Sequence, residues 1–507
     1  MQFIGTRRGE RVSAAEAVYN GLSEGGGVYV PAEFPFVGKE ARAKMEEMTY
    51  AERAEYILSL YFPEFGEEFL GGACKNALKG FDSKDEVPLV KIDEGRYVLE
   101  LFRGRSCSEK DLSVNFFAPL FNRAKEMLKK TEKTLFLAVT TGNTGVSLIE
   151  NFKNDEEAYV AAFYPEEAPS KMQRFNLCAE NGKRVYAAGI SDTFDGCQHL
   201  IYRMLVSEKI AAELKKRSVH AVGGNSSNIA RIIPEIAWYF SAYADLCSSG
   251  QIEDGEEVDF AAASGNLNAA TAGYYAKKMG LPIRKIFVPF NRNKAALDFF
   301  TKGSLNTEKT FRRDMERGLD VCVPLNAERL LFEASGRNHK SVDERMNALD
   351  ETGVLTLTDE ERRLLSADLY ADFASEDDVL EAMYGLFDEY GYPVDVETGV
   401  ATAVADKYKE ENENDETPLV LCATINPYKF PQDVLYCISG NDVKDSYKGV
   451  KRLNLLTAMK PPKPITEVRY FPVRFKDVLP PEGKKISAAV FSLLDGNFVP
   501  EEEEKKR

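Results

Sequence analysis

The chain has 507 residues, of which 44% are apolar and 29% charged, a composition typical of a globular protein with two or three domains. Its 65 Lys plus Arg against 81 Asp plus Glu give a net charge of -16, which argues against nucleic acid or an anionic membrane surface as the main partner. The 8 cysteines form no C-x-x-C pair and the 3 histidines lie far apart, so we expect neither a disulfide framework nor a metal site. The N-terminus lacks the apolar segment of a signal peptide, and no apolar run reaches the roughly 18 residues of a membrane span, so we expect a cytoplasmic protein.

The chain changes character near residue 96 and again near residue 440. Residues 1–95 are rich in helical patterns, at 13–22 and 50–61, separated by a glycine turn at 25–27. From residue 96, short apolar runs alternate with helical segments; the runs are 134–139, 158–164, 185–188, 258–262, 286–288 and 419–423. This alternation predicts an α/β fold with parallel sheets covered on both faces. After about residue 440 proline-rich segments indicate a C-terminal extension.

Lys110 lies where an apolar run, 99–102, gives way to a polar loop and then to an amphipathic helical pattern. Ser108 and Asp111 are spaced like a capping box, so we expect the helix to begin at Ser108 and to carry Lys110 in its first turn. A cation in that turn opposes the helix dipole. Lys110 is therefore either a solvated lysine between two acids or an amine nucleophile held at a cleft.

Two polar loops, 140–145 and 264–273, each follow a buried apolar run and lead into a helix. Such a turn presents free backbone N–H groups at the positive end of the helix, which suits an anion or a polar ring substituent. Asn143 adds a side-chain amide to the first loop. Either loop by itself is also consistent with a simple tight turn between a strand and a helix.

Two further segments end in polar side chains. Thr424 follows the apolar run 419–423, at the sheet edge where open α/β sheets bind ligands, although a strand-end hydrogen bond is the simpler interpretation. The loop 223–231 leads into a helix, which its Asn and Ser residues would cap. Arg231 in that loop could equally pair with a phosphate.

Taken in this order, these segments resemble threonine synthase, a pyridoxal-phosphate enzyme with the tryptophan synthase β-like fold. The likeness runs from Thr6-Arg7-Arg8-Gly9 to about Val434. It implies two parallel-sheet, open-twisted domains of the fold type II class, preceded by an α-rich N-terminal unit over 1–95. The catalytic region would cover 96–440, with a small subdomain at about 131–255 and a large subdomain at about 96–130 and 256–440. Residues 441–507 would form a C-terminal extension.

By position, the resemblance makes Lys110 the catalytic lysine that binds pyridoxal phosphate. It implies that Asn143 meets the ring hydroxyl, that the loop from Gly265 cradles the phosphate and that Thr424 faces the pyridine nitrogen. The complete cofactor site implied by the resemblance is Lys110, Asn143, Gly265, Asn266, Leu267, Asn268, Ala269 and Thr424. The implied substrate site is Arg103, Arg105, Ser106, Thr141, Thr144, Asn225, Ser226 and Arg231. No metal is implied.

The chain departs from the family at several motifs. The family's His-Gly-Pro-Thr-Leu-Ala-Phe-Lys-Asp has Glu109 in place of its Phe here, and Asn268-Ala269 replace the last two residues of the phosphate loop Gly-Asn-Phe-Gly-Asn. Glu397 and Asn426 each replace a histidine. Glu109 predicts a more polar, better solvated site for Lys110. Arg103 and Arg105 would compensate for the lost His and Thr by binding phosphate directly.

Three hypotheses follow for the function. The first is a lyase of threonine biosynthesis that converts O-phospho-L-homoserine and water to L-threonine and phosphate. The second is a phospholyase that eliminates phosphate from another phosphorylated amino acid and ends at a 2-oxo acid. The third is a catalytically inactive binding protein that kept the fold. We expect a small phosphorylated amino acid as partner, no nucleic acid or membrane, and a monomer or homodimer.

Overall fold

The computed structural model describes residues 1–308, 311–457 and 459–497. The first part of the chain forms a three-stranded antiparallel sheet of order β2-β1-β3 with four helices, followed by a β-hairpin and a long helix. These elements are β1 Gln2–Gly5, β2 Arg11–Ser13, α1 Ala14–Asn20, β3 Tyr29–Pro31, α2 Lys39–Met45, α3 Tyr50–Tyr61, α4 Glu67–Ala77, β4 Leu89–Asp93, β5 Arg96–Glu100 and α5 Asp111–Met127, with 3₁₀ turns at Glu24–Gly26 and Pro63–Phe65. Ser13 and Thr49 form capping boxes with the glutamates three residues later, and these boxes start α1 and α3.

The next segment alternates strands and helices and builds the first parallel sheet. Its elements are β6 Lys133–Val139, α6 Asn143–Phe152, β7 Ala158–Pro165, α7 Lys171–Cys178, β8 Val185–Ile190, α8 Phe194–Leu205, α9 Glu208–Lys216, β9 Val219–Gly223, a 3₁₀ turn Ile229–Arg231 and α10 Ile233–Ser248. Strands β6 to β8 are buried along almost their whole length, as expected for parallel strands that have helices on both faces.

The following segment builds the second sheet. Its elements are β10 Val258–Ala261, α11 Asn268–Lys278, β11 Ile283–Phe290, α12 Ala295–Thr301, β12 Ser304–Asn306, a 3₁₀ turn Arg317–Leu319, α13 Ala327–Ala334, α14 His339–Thr352, β13 Val354–Thr356, α15 Asp359–Asp368, β14 Leu369–Phe373, α16 Glu376–Tyr390, α17 Val396–Glu411, β15 Leu419–Ala423, a 3₁₀ turn Pro427–Lys429 and α18 Pro431–Ser439. The six-stranded sheet has the order β14-β11-β10-β15-β5-β4, and only β4 is antiparallel to its neighbour among these strands. Strand β5 therefore joins this sheet across more than 300 residues of sequence.

The last described segment contacts the layers of both sheets. Its elements are α19 Ser446–Thr457, α20 Lys463–Glu467, a 3₁₀ turn Val468–Tyr470, β16 Val478–Leu479 and α21 Gly483–Leu494. Helix α19 packs on α18, whereas α20 packs on α7 and β16 extends the first sheet beside β8, which gives the order β16-β8-β7-β6-β9. The end of the predicted extension, residues 498–507, lies outside the described residues.

The two parallel sheets confirm the α/β fold class that the sequence predicts. Two groups of buried apolar side chains fill the interior, one largely around the first sheet and the N-terminal helices, the other around β15, α16 and α17. The subdomain boundaries near residues 95, 130, 255 and 440 stay predictions. Within the described ranges, no helix is long and apolar enough to cross a membrane.

Candidate functional site

Lys110 lies at the end of a short extended segment that pairs with the residues following β15. The N–H of Glu109 donates to the carbonyl of Thr424 at 2.8 Å, and the N–H of Asn426 donates to the carbonyl of Cys107 at 3.0 Å. Two regions more than 300 residues apart in sequence are thereby held side by side. Lys110 and Thr424 are consequently neighbours, as the family resemblance implies.

Helix α5 begins at Asp111, so the predicted start at Ser108 is wrong. Lys110 is the residue before the helix, and its N–H donates to Ser108 Oγ at 3.3 Å instead of taking part in a capping box. Cys107 has a φ of 55°, in the left-handed region that a residue with a side chain seldom adopts. Such strain persists only where the surrounding hydrogen bonds fix the loop, and it is common beside ligands.

Glu109 forms an ion pair with the amine of Lys110. Glu109 is buried, and only 21% of the Lys110 side chain is exposed. The predicted polar, better solvated site for Lys110 is therefore wrong in its solvation. Burial, the largest influence, lowers the pKa of Lys110, but the negative charges of Glu109 and Glu235 outweigh it and leave that pKa raised. The pair therefore keeps the amine protonated at neutral pH.

Asn143 is the first residue of α6, in a turn that the preceding residues close. Thr140 Oγ1 accepts the N–H groups of Gly142 at 2.8 Å and Gly145 at 3.2 Å. Gly142 has a φ of +130°, which favours glycine. Asn143 is buried, and its Oδ1 has no hydrogen-bond partner among residues 1–308, 311–457 and 459–497.

Thr424 is also buried, and within the described part of the chain its Oγ1 has no hydrogen-bond partner. A buried polar atom without a partner costs about 1–3 kcal/mol, so the unpaired atoms of Thr424 and Asn143 point to a ligand that pairs with them.

Helices α5 and α6 pack together, and the side chain of Ser147, one turn along α6 from Asn143, interacts with Asp111 beside Lys110. We call Lys110, Asn143 and Thr424 the open end of the site.

The loop 264–269 uses its polar side chains within the protein. Ser264 Oγ donates to Asn268 Oδ1 at 2.6 Å and accepts the Asn268 N–H at 3.1 Å. The amide of Asn268 donates to both carboxylate oxygens of Glu235 at 2.9 Å. Leu267 has a φ of 57°, so the chain makes its turn into α11 at Leu267, where the family loop has phenylalanine. We call Ser264, Asn266, Asn268 and Glu235 the closed end of the site.

The start of this loop lies against the 3₁₀ turn at Arg317–Leu319. A Cβ on Gly265 would lie 2.3 Å from the carbonyl oxygen of Gly318, so only glycine fits there. Asn266 Oδ1 accepts the N–H of Leu325 at 3.1 Å, and its carbonyl accepts the Asn326 amide at 2.8 Å. The groups of this loop that remain for an anion are backbone N–H groups at the positive end of α11. Ala269 lies in the first turn of that helix.

Arg231 is fully buried beside the first turn of α5. Its Nε donates to Ser113 Oγ at 2.8 Å, and its Nη1 donates to the carbonyl of Gly224. Burial lowers the pKa of Arg231 to about 10, against the opposing charges of Glu235 and Glu109, so the group stays charged at neutral pH. Arg231 is thus a buried cation near Lys110.

Asn225 and Ser226 lie where the two sheets meet. The side chain of Asn225 bonds the N–H of Val139 at 2.9 Å and its carbonyl at 2.8 Å, and Ser226 Oγ accepts the Asn326 amide at 2.9 Å. A cavity of about 620 Å³ has Asn225, Val139 and Leu325 in its wall. Its lining does not include Lys110, Asn143 or Thr424, so it lies outside the group of residues around the lysine.

Arg103 and Arg105 do not gather around Lys110. Arg103 pairs with Glu100 and, at 3.6 Å, with Asp82. Arg105 is partly exposed and pairs with Glu150 at 3.3 Å and Glu180 at 3.4 Å. Both guanidinium groups are engaged by carboxylates, so their predicted role as phosphate ligands requires those pairs to break.

The remaining predicted substrate residues lie near the starts of α5 and α6. Ser106 is buried, its hydroxyl 2.9 Å from Ser108 Oγ, and its N–H donates to Asp111 Oδ2 at 2.6 Å. Thr144 is buried in the first turn of α6, and Thr141 is half-buried in the loop before it. Their contact with a substrate stays a prediction.

The sequence reasoning missed several buried ionisable groups. Burial raises the pKa of Glu235 to about 7 and that of Glu397 well above its ordinary value. Lys429 is fully buried, donates to Asn176 Oδ1 at 3.1 Å, and has a pKa lowered by burial to about 8. In the sequence Lys429 is marked only by its position, shortly after the apolar run that ends at Ala423.

Comparison with known proteins finds threonine synthases and threonine synthase-like proteins. The family described as "Threonine synthase N terminus" matches residues 2–78. "Threonine synthase-like 1" of Pongo abelii is 28% identical over 464 residues, 88% of this chain and 62% of that protein, so the chain spans less than two thirds of that relative. "Threonine synthase" of Pseudomonas aeruginosa is 27% identical over 445 residues, 86% of this chain and 90% of that protein. The crystal structure of PLP-bound threonine synthase from Brucella melitensis aligns with a TM-score of 0.80 at 25% identity, over 97% of this chain and 99% of that one.

The two parallel sheets, with the lysine loop between them, define a fold of the tryptophan synthase β-like, type II class. The resemblance that the sequence indicates is therefore confirmed at the level of the fold. The chain is similar to threonine synthases and threonine synthase-like proteins over most of its length, and its first 78 residues match the family model of the threonine synthase N terminus.

Proposed function

We propose that the chain is a pyridoxal-phosphate-dependent carbon–oxygen lyase of the threonine synthase type, which converts O-phospho-L-homoserine and water to L-threonine and phosphate. One observation carries the proposal: the partly exposed side chain of Lys110 follows Glu109, whose N–H bonds the carbonyl of Thr424, and buried atoms of Thr424 and Asn143 are unpaired within the described residues.

The residues present fit the cofactor. Lys110 supplies the amine, the Thr424 hydroxyl suits a ring nitrogen and the Asn143 amide suits a ring hydroxyl. The backbone at the start of α11 suits a phosphate, because the side chains of that loop are already bonded within the protein. When bound, pyridoxal phosphate supplies an electron sink that stabilises negative charge on the substrate carbon.

The chain's own residues supply binding, orientation and proton transfer. Lys110, once free of the cofactor, takes a proton from the substrate as general base and returns it later. Arg231 attracts the substrate phosphate, since it is a buried cation whose charge persists at neutral pH. Asn225 and Ser226 fix the loop that carries Arg231.

Two assays test the proposal. Purified protein incubated with pyridoxal phosphate is expected to show a visible absorbance band that borohydride reduction abolishes, with the label on Lys110. Cofactor-loaded protein is then expected to release phosphate from O-phospho-L-homoserine and to form L-threonine. A 2-oxo acid as product, or turnover of O-phospho-L-threonine instead, would replace this proposal by that of a phospholyase.

A second candidate is a binding protein without catalysis. It is favoured by the pairing of Arg103 and Arg105 with carboxylates, which removes two cations from the predicted phosphate site. Cofactor binding without phosphate release from either substrate would support this candidate.

A further inference from the structure

Glu109 is a buried carboxylate in contact with the nucleophile. Its Oε1 contacts the amine of Lys110, and its Oε2 has no hydrogen-bond partner in the ranges that the structure describes. A buried carboxylate with one oxygen on an amine favours the ammonium form of that amine, because the buried negative charge needs a counter-charge.

The backbone holds this pair in place. The N–H of Glu109 donates to the carbonyl of Thr424 at 2.8 Å, within the extended segment that fixes Lys110 before α5. The two side chains are therefore not a mobile surface ion pair, which would contribute little. An ion pair held in a buried site strongly favours the protonated amine over the free amine.

We propose that Glu109 is a positioning residue that holds the Lys110 amine in place as an ammonium ion and so sets the pH above which this amine adds to an aldehyde. Before the addition an N–H bond of the ammonium group breaks and the proton passes to water. The nitrogen lone pair then becomes available to a carbonyl carbon, and the carboxylate of Glu109 stays beside it. This inference deepens the proposed function, on which its cofactor experiment rests.

Other charged groups face the pair from the neighbouring elements. They are Glu235 and Arg231 at the start of α10, Asp395 and Glu397 at the start of α17, and Glu316 beside Glu397. Glu235 is bonded to Asn268, and burial raises the pKa of Glu397 well above its ordinary value, which favours its neutral form. Of these carboxylates, Glu109 is the one that forms an ion pair with the amine of Lys110.

The first experiment needs no cofactor. The full chain is treated with formaldehyde and cyanoborohydride over a range of pH, and methylation of Lys110 is measured by mass spectrometry, with Lys125 at the other end of α5 as internal reference. In Glu109→Gln the midpoint pH of Lys110 methylation is expected to fall by about 1 unit or more, because the carboxylate no longer stabilises the ammonium group. Glu109→Asp keeps the carboxylate and is expected to restore the midpoint toward that of the unchanged chain.

A midpoint that does not move in Glu109→Gln would overturn the inference. If circular dichroism shows that this variant is unfolded, Glu109→Leu, a second uncharged side chain of similar length, gives the same comparison. A merely structural role for Glu109 would change the extent of methylation but not its midpoint pH.

The second experiment uses pyridoxal phosphate and borohydride on the same variants. Labelling of Lys110 in Glu109→Gln is expected to extend to lower pH than in the unchanged chain. If pyridoxal phosphate labels Lys110 with the same pH profile in both, the inference fails and the proposed function stands. If pyridoxal phosphate labels Lys110 in neither protein at any pH, and the methylation midpoint still shifts in Glu109→Gln, the proposed function fails and the inference stands.

Discussion

The loops 140–145 and 264–269 have similar sequences and similar positions, yet the protein uses them differently. In the first, a threonine hydroxyl closes the turn and leaves the Asn143 side chain available. In the second, the side chains of Ser264 and Asn268 are bonded to each other, and Asn268 is bonded to Glu235. The open end thus keeps side chains for a ligand, whereas the closed end uses them for stability. Substitutions should therefore affect binding at the open end and folding at the closed end.

Lys110→Ala should have the largest effect and should act on binding and chemistry alone. We expect loss of borohydride-stable labelling by pyridoxal phosphate and turnover lower by about 10³-fold or more, since no other group replaces the nucleophile. Labelling is measured by absorbance and mass spectrometry. Lys125→Ala, in the last turn of α5, is the control and should label normally; persistent labelling in Lys110→Ala would show that another lysine binds the cofactor.

Glu235→Gln tests the closed end through the pH dependence of stability. Burial raises the pKa of Glu235 from 4.5 to about 7, so between these values the folded chain holds a proton that the unfolded chain has lost. Stability therefore falls as pH rises through this window, by about 3 kcal/mol for a shift of this size. Gln cannot ionise, so urea unfolding of Glu235→Gln at pH 5 to 8 should show a shallower decline. Equal slopes in both proteins would contradict the assignment.

Asn268→Ala should lower the free energy of unfolding by about 1–3 kcal/mol, because it leaves the buried Glu235 carboxyl without its amide donor. Urea unfolding at pH 8 measures the change. In the double variant with Glu235→Leu the loss should be smaller, since no carboxyl remains to be satisfied. Normal stability with weakened cofactor binding would mean that Asn268 belongs to the open end.

Thr424→Val should have the smallest effect, and unlike Asn268→Ala it should act on cofactor binding and not lower stability. Valine keeps the shape of threonine and removes a buried hydroxyl that is unpaired within the described residues, so the affinity for pyridoxal phosphate should fall about 10-fold while the free energy of unfolding should not decrease. Equilibrium titration and urea unfolding measure the two effects. A clear loss of stability would show that the hydroxyl serves the fold.

The sequence carries enough signal to predict both sheets and to propose the residues of the open end. Buried apolar runs mark the parallel strands, and Lys110, Asn143 and Thr424 each follow such a run, so local patterns and family order suffice to propose them as site residues. Helix starts with a regular capping box, such as Thr49 before α3, are equally visible. These features depend on neighbouring residues in the sequence.

The closed end was not predictable in the same way. The bond between Asn268 and Glu235 joins residues 33 apart, and Glu235 by itself is an ordinary acid in the first turn of a helix. Arg103 and Arg105 were predicted to bind phosphate, but carboxylates engage both, and Glu180 is 75 residues from Arg105. Such pairings depend on which elements the fold brings together, and a charge pattern cannot show that.

The C-terminal segment has a consequence for truncation of the chain. Helix α19 is packed on α18 beside the second sheet, whereas β16 is bonded to the first sheet through the N–H of Gly189 at 2.9 Å and that of Ser191 at 3.1 Å. The N–H groups of Arg474 and Phe475 also donate to the carbonyl of Cys178, at 2.8 and 3.3 Å, and α21 packs on α8. The C-terminal segment therefore joins the layers of the two sheets, and a chain cut before residue 446 would lose contacts to both.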